Sequence, residues 1–214
     1  MKNDKFFEQK QLIIKYGKQL GIKNMSPATS GNISIRADEN VLITASETAL
    51  GDLYEDDIVQ IDINANKIGD GKKPSSEKNM HCAIYRKRPD INAIIHCHSP
   101  YVSAFAVCHE PINKPIISEN VFYFGEIPVA PYALPGSEQL AKNASDLFDK
   151  HDAVLLANHG IIIGAKDLKT AYYLCETAET VAQIFINAKI LGGAKELSAK
   201  DVEEIYNLRN SVKN

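Results

Sequence analysis

The sequence predicts one domain of the α/β or α+β class, in which helices pack against a β-sheet. Four segments have the apolar periodicity of amphipathic helices: 4–20, 77–87, 137–150 and 167–191. Between them lie shorter segments that alternate in polarity or are continuously apolar, as strands do. Two of these strands, 33–36 and 41–44, are close enough in the chain to form an antiparallel hairpin. A chain of 214 residues suits one large domain, and we treat residues 1–214 as a single one.

The remaining elements follow from local signals. Further strands are predicted at 57–63, at 91–98 and on both sides of Asn158-His159-Gly160. The Pro-rich segment 111–136 is predicted to be a β-rich connection, with short strands at 116–117 and 127–130.

Several helix ends carry recognisable stop or capping signals. Gly21 marks a stop for the first helix, and Asp167 caps the long one. Ser198 and Asp201 form a capping box that begins a last helix, which we expect to run through Leu208.

Composition excludes several classes of function. The net charge of −3, without a cluster of Lys and Arg, argues against a nucleic-acid partner, and no apolar run reaches transmembrane length. The charged N-terminal segment does not resemble a signal peptide. None of the four cysteines forms a C-x-x-C pair, so we expect reduced cysteines in a cytoplasmic protein.

His96 and His98 follow the apolar run 91–95, which reads as a strand. Successive strand residues point to opposite faces, so the two imidazoles share a face and Cys97 lies on the other. Such a pair suits one metal ion, because neutral imidazole is a common zinc ligand. Two ordinary histidines on a strand are the alternative. His159 lies between two apolar strands, where it is either a hydrogen-bonded core residue or a third ligand.

Two segments could bind an anion. Ser75 and Ser76 precede the helix 77–87, where one hydroxyl can cap the helix and the other is free to contact a phosphate. Gly31 and Asn32 lie at a turn before the strand 33–36, which is either an ordinary hairpin or an exposed backbone that donates N–H groups to an anion.

Taken together, these motifs resemble the class II aldolase/adducin family and, within it, the L-fuculose-1-phosphate aldolases. The matching segments occur in family order: T-S-G-N-I-S-I-R at 29–36, L-I-T at 42–44, G-K-K-P-S-S-E at 71–77, M-H-x-x-I-Y at 80–85, A-I-I-H-C-H-S at 93–99, I-P-V-A-P-Y at 127–132 and L-A-N-H-G at 156–160. The resemblance implies a three-layer α/β/α domain with a mostly antiparallel central sheet, assembled as a homotetramer with active sites at subunit boundaries.

The resemblance also implies roles for particular residues. His96, His98 and His159 would bind one Zn²⁺ per chain, and Glu77 would be the catalytic acid/base, near or on the metal. The substrate phosphate would be held by a set of small and polar residues: Gly31, Asn32, Thr44, Ser75 and Ser76.

The implied reaction cleaves L-fuculose 1-phosphate, or a similar 1-phosphorylated deoxyketose, to dihydroxyacetone phosphate and a small aldehyde through a zinc-stabilised enediolate. A dipositive ion held by neutral imidazoles keeps open positions and acts as a Lewis acid, and a neighbouring carboxylate moves the proton. The partner is therefore a small phosphorylated sugar, with neither nucleic acid nor membrane. The metal could also be manganese or cobalt.

One departure from the family pattern concerns the tyrosine that protonates the aldehyde oxygen from a neighbouring subunit. The matching position falls near Ile117, where this chain has no tyrosine, and Tyr123 or Tyr206 are the alternatives. Other reactions on the same site are a sugar-phosphate dehydratase, an epimerase or a decarboxylase, although Glu77 differs from the aspartate that the family's epimerases carry there. A non-enzymatic adducin-like module is a third alternative, against which all three histidines argue.

Overall fold

The computed structural model describes residues 5–213, and within that range seven strands form one sheet. The strands are β1 (Asn32–Ala37), β2 (Asn40–Thr44), β3 (Ile58–Asp62), β4 (Ala93–Cys97), β5 (Val129–Ala130), β6 (Ala153–Leu156) and β7 (Gly160–Ala165). Their order in the sheet is β3-β2-β1-β4-β7-β6-β5. Every neighbouring pair is antiparallel except β5 and β6, which are parallel. The mostly antiparallel sheet expected from the resemblance is therefore confirmed.

Helices cover both faces of this sheet. They are α1 (Phe7–Ile22), α2 (Lys78–Lys87), α3 (Pro100–Cys108), α4 (Ser118–Tyr123), α5 (Glu138–Leu147), α6 (Leu168–Ile190) and α7 (Ala199–Lys213). Buried residues of α1, α3 and α6 form one apolar core with the sheet, and those of α2 and α5 form a second core. The result is the expected three-layer α/β fold, while its division into domains stays a prediction.

The alternation of β4 between the two cores decides where its histidine lies. Ile95 and Cys97 belong to the core beneath α1, α3 and α6, whereas Ile94 belongs to the core beneath α2 and α5. His96 is therefore on the α2 side of the sheet. Cys97 lies on the opposite face, as the sequence predicted.

The end of the first helix differs from the sequence prediction. The first helix does not stop at Gly21 but continues to Ile22. A Cβ at Gly21 would lie 2.7 Å from the Cα of Gly51, so this glycine permits close contact between two backbones rather than ending the helix. The predicted start of that helix at residue 4 lies outside the described residues. The Asp167 cap is confirmed because its carboxylate accepts the Thr170 N–H at 2.7 Å, and the Ser198–Asp201 capping box is also present.

The prediction for segment 111–136 is partly wrong. Ile116 and Ile117 do not form a strand: Ile117 is the extended residue that precedes α4, a short helix that the sequence analysis missed. Asn120 and Val121 on this helix are buried, so tertiary packing outweighs the local β pattern. The predicted strand at 127–130 is reduced to Val129–Ala130.

None of the helices described is both long and apolar enough to cross a membrane.

Candidate functional site

Three histidines from two neighbouring strand ends converge on one point. The ligand nitrogens of His96, His98 and His159 all lie within 4.8 Å of one another. His96 is fully buried, and the other two are partly exposed, so the cluster has one side open to solvent. The structure thus brings together the three residues that the sequence singled out as metal ligands.

Backbone pairing positions the first two of these histidines. His96 lies within β4 and is directly opposite Asn32 on β1 and Ile162 on β7. The strand ends at Cys97 rather than continuing to 98 as predicted, and the N–H of His98 donates to the Met25 carbonyl at 3.1 Å. Both side chains nevertheless face the same way, since their Nε2 atoms are 2.9 Å apart.

His159 lies in the turn between β6 and β7, whose tight geometry depends on its neighbours. Asn158 has a positive φ of 55°, which asparagine tolerates better than most residues. A Cβ at Gly160 would lie 2.5 Å from the Cys97 carbonyl oxygen and 3.0 Å from Cδ2 of His98. Glycine is therefore required after His159, because β7 begins in contact with the His98 segment.

The hydrogen bond of His96 fixes its tautomer when the ring is neutral. Nδ1 lies 2.9 Å from the Ile161 carbonyl, which only accepts, so Nδ1 carries the proton and Nε2 keeps its lone pair for the cluster. A backbone carbonyl that orients a ligating histidine in this way is a common feature of metal sites.

The electrostatics of the cluster favour neutral imidazoles at two positions. Burial, and then the charge of His96, lower the pKa of His98 to about 3 and that of His159 to about 4. Burial also disfavours the charged form of His96, but the Glu77 carboxylate outweighs it and raises the pKa of His96. Neutral nitrogens close together beside one carboxylate are the donor set that a divalent transition metal prefers. The residues present therefore fit a metal ion.

Glu77 brings the carboxylate to this cluster. Its Oε2 lies 3.1 Å from Nε2 of His96, and its Oε1 lies 3.7 Å from Nε2 of His159. Asn32 donates from Nδ2 to Oε2 at 2.9 Å and so fixes the carboxylate on the cluster side. Burial opposes the ionisation of Glu77, yet the neighbouring His96 charge prevails and holds the pKa of this carboxyl well below its usual range. The side chain is buried, with 6% of the residue exposed, so it is not a surface glutamate at a helix start.

The residues predicted to bind phosphate are brought close to Glu77, although they differ in exposure. Ser75 and Thr44 are buried, and the Ser75 N–H donates to the Thr44 carbonyl at 3.0 Å. Ser76 is exposed to solvent. Thr44 Oγ1 accepts the Ile33 N–H at 3.2 Å, so this hydroxyl retains its own proton for a further acceptor.

The role of Ser75 as a helix cap is not as the sequence predicted. The residue that precedes α2 is Glu77, and no side chain caps the helix there. Instead, Ser75 Oγ accepts the N–H of Glu77 at 3.2 Å, which ties the serine to the backbone of the carboxylate residue.

Gly31 has an internal packing role in addition to any contact with a ligand. Its φ is +76°, and a Cβ there would lie 2.6 Å from the His96 carbonyl oxygen as well as clashing with Ser26 Oγ. Only glycine allows β1 to begin this close to the histidine strand.

The two tyrosines considered as proton donors lie on helices that contact one another. Tyr123 ends α4 and is 45% exposed, and Tyr206 lies on α7 and is 39% exposed. A Cβ at Gly125 would meet the Tyr206 hydroxyl at 2.8 Å, so α7 packs against the end of α4. Ile117 is partly buried in the core beneath α1, α3 and α6.

Two further polar residues near the site escaped the sequence analysis. His109 is exposed to solvent, and its Nε2 lies 2.6 Å from Oδ1 of Asn158, the residue before His159. His81 is completely buried one helical turn after Glu77. The i, i+4 spacing from Glu77 was the available signal for His81, whereas no local pattern indicates the contact of His109.

Comparison with known proteins identifies the family of this chain. The family model described as "Class II Aldolase and Adducin N-terminal domain" matches residues 11–186. The chain belongs to the class II aldolase/adducin family. The resemblance seen in the sequence is thereby confirmed.

Relatives within the class II aldolase/adducin family have more than one activity. A 5-deoxy-D-ribulose 1-phosphate aldolase from Bacillus thuringiensis is 37% identical over 202 residues, covering 92% of this chain and 93% of the relative. A 3-oxo-tetronate 4-phosphate decarboxylase from Haemophilus influenzae is 34% identical over 210 residues, covering 96% and 98% of the two chains. A solved structure of an L-fuculose 1-phosphate aldolase superimposes with a TM-score of 0.89 at 35% identity, covering 97% of each chain.

Proposed function

We propose that the protein is a metal-dependent aldolase that cleaves L-fuculose 1-phosphate, or a similar 1-phosphorylated deoxyketose, to dihydroxyacetone phosphate and a small aldehyde. The observation that carries the proposal is the contact between the Glu77 carboxylate and two of the three clustered histidines. A metal-binding cluster alone could be structural, but a buried carboxylate on the same cluster supplies a proton-transfer group.

His96, His98 and His159 are the residues that would hold the ion, and we propose Zn²⁺, one per chain. When bound, the ion supplies a Lewis acid that stabilises the negative charge developing on the ketose oxygens during cleavage. Glu77 is close enough to the cluster to lie beside or on the ion.

Glu77 is the group to which we assign the carbon proton transfer. Cleavage leaves an enediolate of dihydroxyacetone phosphate that must be protonated on carbon, and the reverse reaction removes the same proton. The lowered pKa of Glu77 keeps it ionised, the form that removes the carbon proton in the condensation direction. In cleavage the substrate hydroxyl that becomes the aldehyde oxygen loses one proton and the enediolate carbon gains one, so Glu77 donates in its protonated form. Asn32 holds Oε2 in place, and Oε1 has no hydrogen-bond partner among the described residues, so Oε1 is the oxygen we assign to the proton transfer.

We propose that the substrate phosphate is held by Gly31, Asn32, Thr44, Ser75 and Ser76. Ser75 is the residue that links this set to the chemistry, because its hydroxyl contacts the backbone of Glu77. A phosphate anchored there would fix the reacting carbons against the carboxylate, so binding energy at a remote group would be used for positioning.

The assembly and the second proton donor belong together in this proposal. We propose a cytoplasmic homotetramer in which Tyr123 or Tyr206 of a neighbouring subunit would reach the aldehyde oxygen. Both side chains are partly exposed, as a contribution across a subunit boundary requires.

A second candidate is decarboxylation of a 3-oxo acid phosphate, favoured by the similarity to the decarboxylase of Haemophilus influenzae. A four-carbon acid with a 2-hydroxyl, a 3-oxo group and a 4-phosphate loses CO₂ to leave the same enediolate of dihydroxyacetone phosphate. Loss of CO₂ releases no aldehyde, so this reaction needs no residue that exchanges a proton with an aldehyde oxygen. Ile117, where the resemblance implies a tyrosine for the aldolases, fits that simpler requirement.

The deciding experiment uses one shared product and two distinct ones. Purified protein is incubated with L-fuculose 1-phosphate, 5-deoxyribulose 1-phosphate and 3-oxotetronate 4-phosphate, and dihydroxyacetone phosphate is assayed in each case. Aldehyde release supports the aldolase, and CO₂ release supports the decarboxylase. No dihydroxyacetone phosphate from any of the three would contradict both reactions.

A further inference from the structure

A second polar contact joins β1 and α2, one step further along both elements from the Asn32–Glu77 hydrogen bond. Ser34 follows Asn32 by two residues and so shares its face of the strand, while His81 follows Glu77 by one helical turn. Ser34 Oγ lies 2.7 Å from Nδ1 of His81 and 2.8 Å from the Tyr85 hydroxyl. We call these five residues the β1–α2 polar ladder.

The ladder is almost completely removed from solvent. Ser34 and His81 are 0% exposed, and Tyr85 is 1% exposed. Hydrogen bonds in such surroundings hold their partners firmly, because a buried polar group left unpaired costs about 1–3 kcal/mol. Arg36 continues the same strand face, with its guanidinium 4.8 Å from the centre of the Tyr85 ring and a 2.7 Å hydrogen bond to the Tyr85 carbonyl.

His81 is held in its neutral form within the ladder. Burial, followed by the charge of His96, lowers the pKa of His81 to about 3. A neutral imidazole offers one donor and one acceptor, and Nδ1 engages Ser34. Its Nε2 is buried and has no hydrogen-bond partner among the described residues. The atom that makes the contact is therefore Nδ1.

We propose that His81 is a positioning residue for Glu77, whose contact through Nδ1 with Ser34 fixes α2 against β1 and so holds the carboxylate beside the histidine cluster. The proposal rests on the function proposed above, in which Glu77 transfers the proton. Glu77 is the residue immediately before α2, so any shift of the helix along the sheet displaces its carboxylate. A displacement of about 1 Å at a reacting group can cost roughly 10²-fold in rate.

Two amide substitutions separate the two nitrogens of His81. In His81→Asn the amide lies near the position of Nδ1, and in His81→Gln it lies near that of Nε2. We expect His81→Gln and His81→Ala to lower kcat by ~10-fold or more with KM changed less than about threefold, and His81→Asn to restore most of kcat. Metal content should equal that of the wild type in all three variants.

Ile84→Ala is the matched control on the same helix. Ile84 is also 0% exposed, and its aliphatic side chain belongs to the apolar core beneath α2 and α5, so its truncation lowers stability without removing a hydrogen bond of the ladder. We expect the folded fraction of Ile84→Ala to keep the kcat of the wild type. Equal kcat in His81→Gln and His81→Asn would overturn the positioning role. So would a loss of activity in the His81 variants that is fully explained by a smaller folded fraction, as expected for Ile84→Ala.

A second measurement does not depend on turnover. In protein carrying ¹³C-labelled glutamate, the Glu77 carboxyl resonance reports the surroundings of that carboxylate. We expect it to move in His81→Ala, His81→Gln and Ser34→Ala and to stay in place in His81→Asn and Ile84→Ala. If the wild type converts none of the substrates, the proposed function fails and this resonance alone decides the positioning role, which an unmoved signal in His81→Ala would contradict.

Discussion

Glu77 and His96 join the carboxylate to the histidine cluster, with 3.1 Å between Oε2 of Glu77 and Nε2 of His96. His96 is paired in the sheet, and Glu77 immediately precedes α2, the helix on the same face of the sheet. Each residue shifts the pKa of the other toward its charged form, in spite of burial. A buried carboxylate held against a buried imidazole costs desolvation free energy, so this contact favours a functional role over a purely structural one.

The first prediction concerns metal content. We expect about one divalent transition metal ion per chain by elemental analysis, as in a catalytic site with three protein ligands. His159→Ala should lower that content strongly, because it removes one of the three ligands. His151→Ala, a histidine outside the cluster, should leave the content unchanged. Full activity after exhaustive chelation would contradict the metal site.

The second prediction concerns the carboxylate. Glu77→Gln should keep the fold and the hydrogen bond from Asn32 but lower kcat by roughly 10²–10⁴-fold, as expected when a general acid–base group is lost. Glu138→Gln is the control, since Glu138 is an exposed carboxylate in the first turn of α5. Near-normal kcat in Glu77→Gln would show that the glutamate only favours the helix terminus electrostatically.

Local periodicity made the shared face of His96 and His98 accessible from the sequence, whereas the role of Glu77 came from the family resemblance. Strand alternation placed His96 and His98 on one face, and the structure confirms that shared face. Contacts between elements distant in sequence were not accessible, since nothing local indicates which face of α2 meets β1. The Ser34–His81 hydrogen bond joins residues 47 positions apart. The short helix α4 was missed for the same reason, because buried tertiary contacts and not local propensity determine it.

The third prediction concerns assembly. We expect light scattering to give the mass of a homotetramer at assay concentrations. If Tyr206 acts across a subunit boundary, Tyr206→Phe should lower kcat for aldehyde-releasing substrates while leaving the tetramer intact. Tyr54→Phe is the control, as Tyr54 is a 75% exposed tyrosine outside the α4–α7 region. A monomer with full aldolase activity would contradict the shared site.

The fourth prediction concerns acid stability without metal. The pKa of His81 is lowered to about 3 in the fold from a usual value of 6.5, so below pH 6.5 the unfolded chain binds a proton that the folded chain does not. The contribution of His81 to the free energy of unfolding is therefore fully present above pH 6.5 and is lost as the pH drops from 6.5 toward 3. Between pH 7.5 and pH 5 the loss should be roughly 2 kcal/mol.

Urea unfolding of wild type and His81→Asn at the two pH values isolates the contribution of His81 to the pH dependence of stability. The lowered pKa values of His98 and His159 act in the same direction, but they are common to both proteins and cancel in the comparison. The free energy of unfolding of His81→Asn should thus vary less with pH. Identical pH dependence in the two proteins would show that His81 titrates normally in the fold.

The last prediction concerns the substrate phosphate, for which Ser76 offers the sharper test. Ser75 is buried and accepts the Glu77 N–H, so its removal would disturb the carboxylate as well as any phosphate contact. Ser76 is exposed and makes no side-chain hydrogen bond among the described contacts, so its hydroxyl is available to a ligand. Ser76→Ala should therefore lower kcat/KM for the phosphorylated substrate by about 10-fold, the equivalent of one lost hydrogen bond to a charged group.

Two controls accompany this test. The first is kcat/KM of Ser76→Ala for the unphosphorylated analogue, and the second is kcat/KM of Ser137→Ala for both substrates. Ser76→Ala should change kcat/KM for the unphosphorylated analogue little, because that molecule has no anion for the hydroxyl to contact. Ser137 accepts the Leu140 N–H as a helix cap, so Ser137→Ala should lower stability and leave the ratio between the two substrates unchanged. Equal losses on both substrates in Ser76→Ala would mean that Ser76 has a structural role and that the phosphate lies elsewhere.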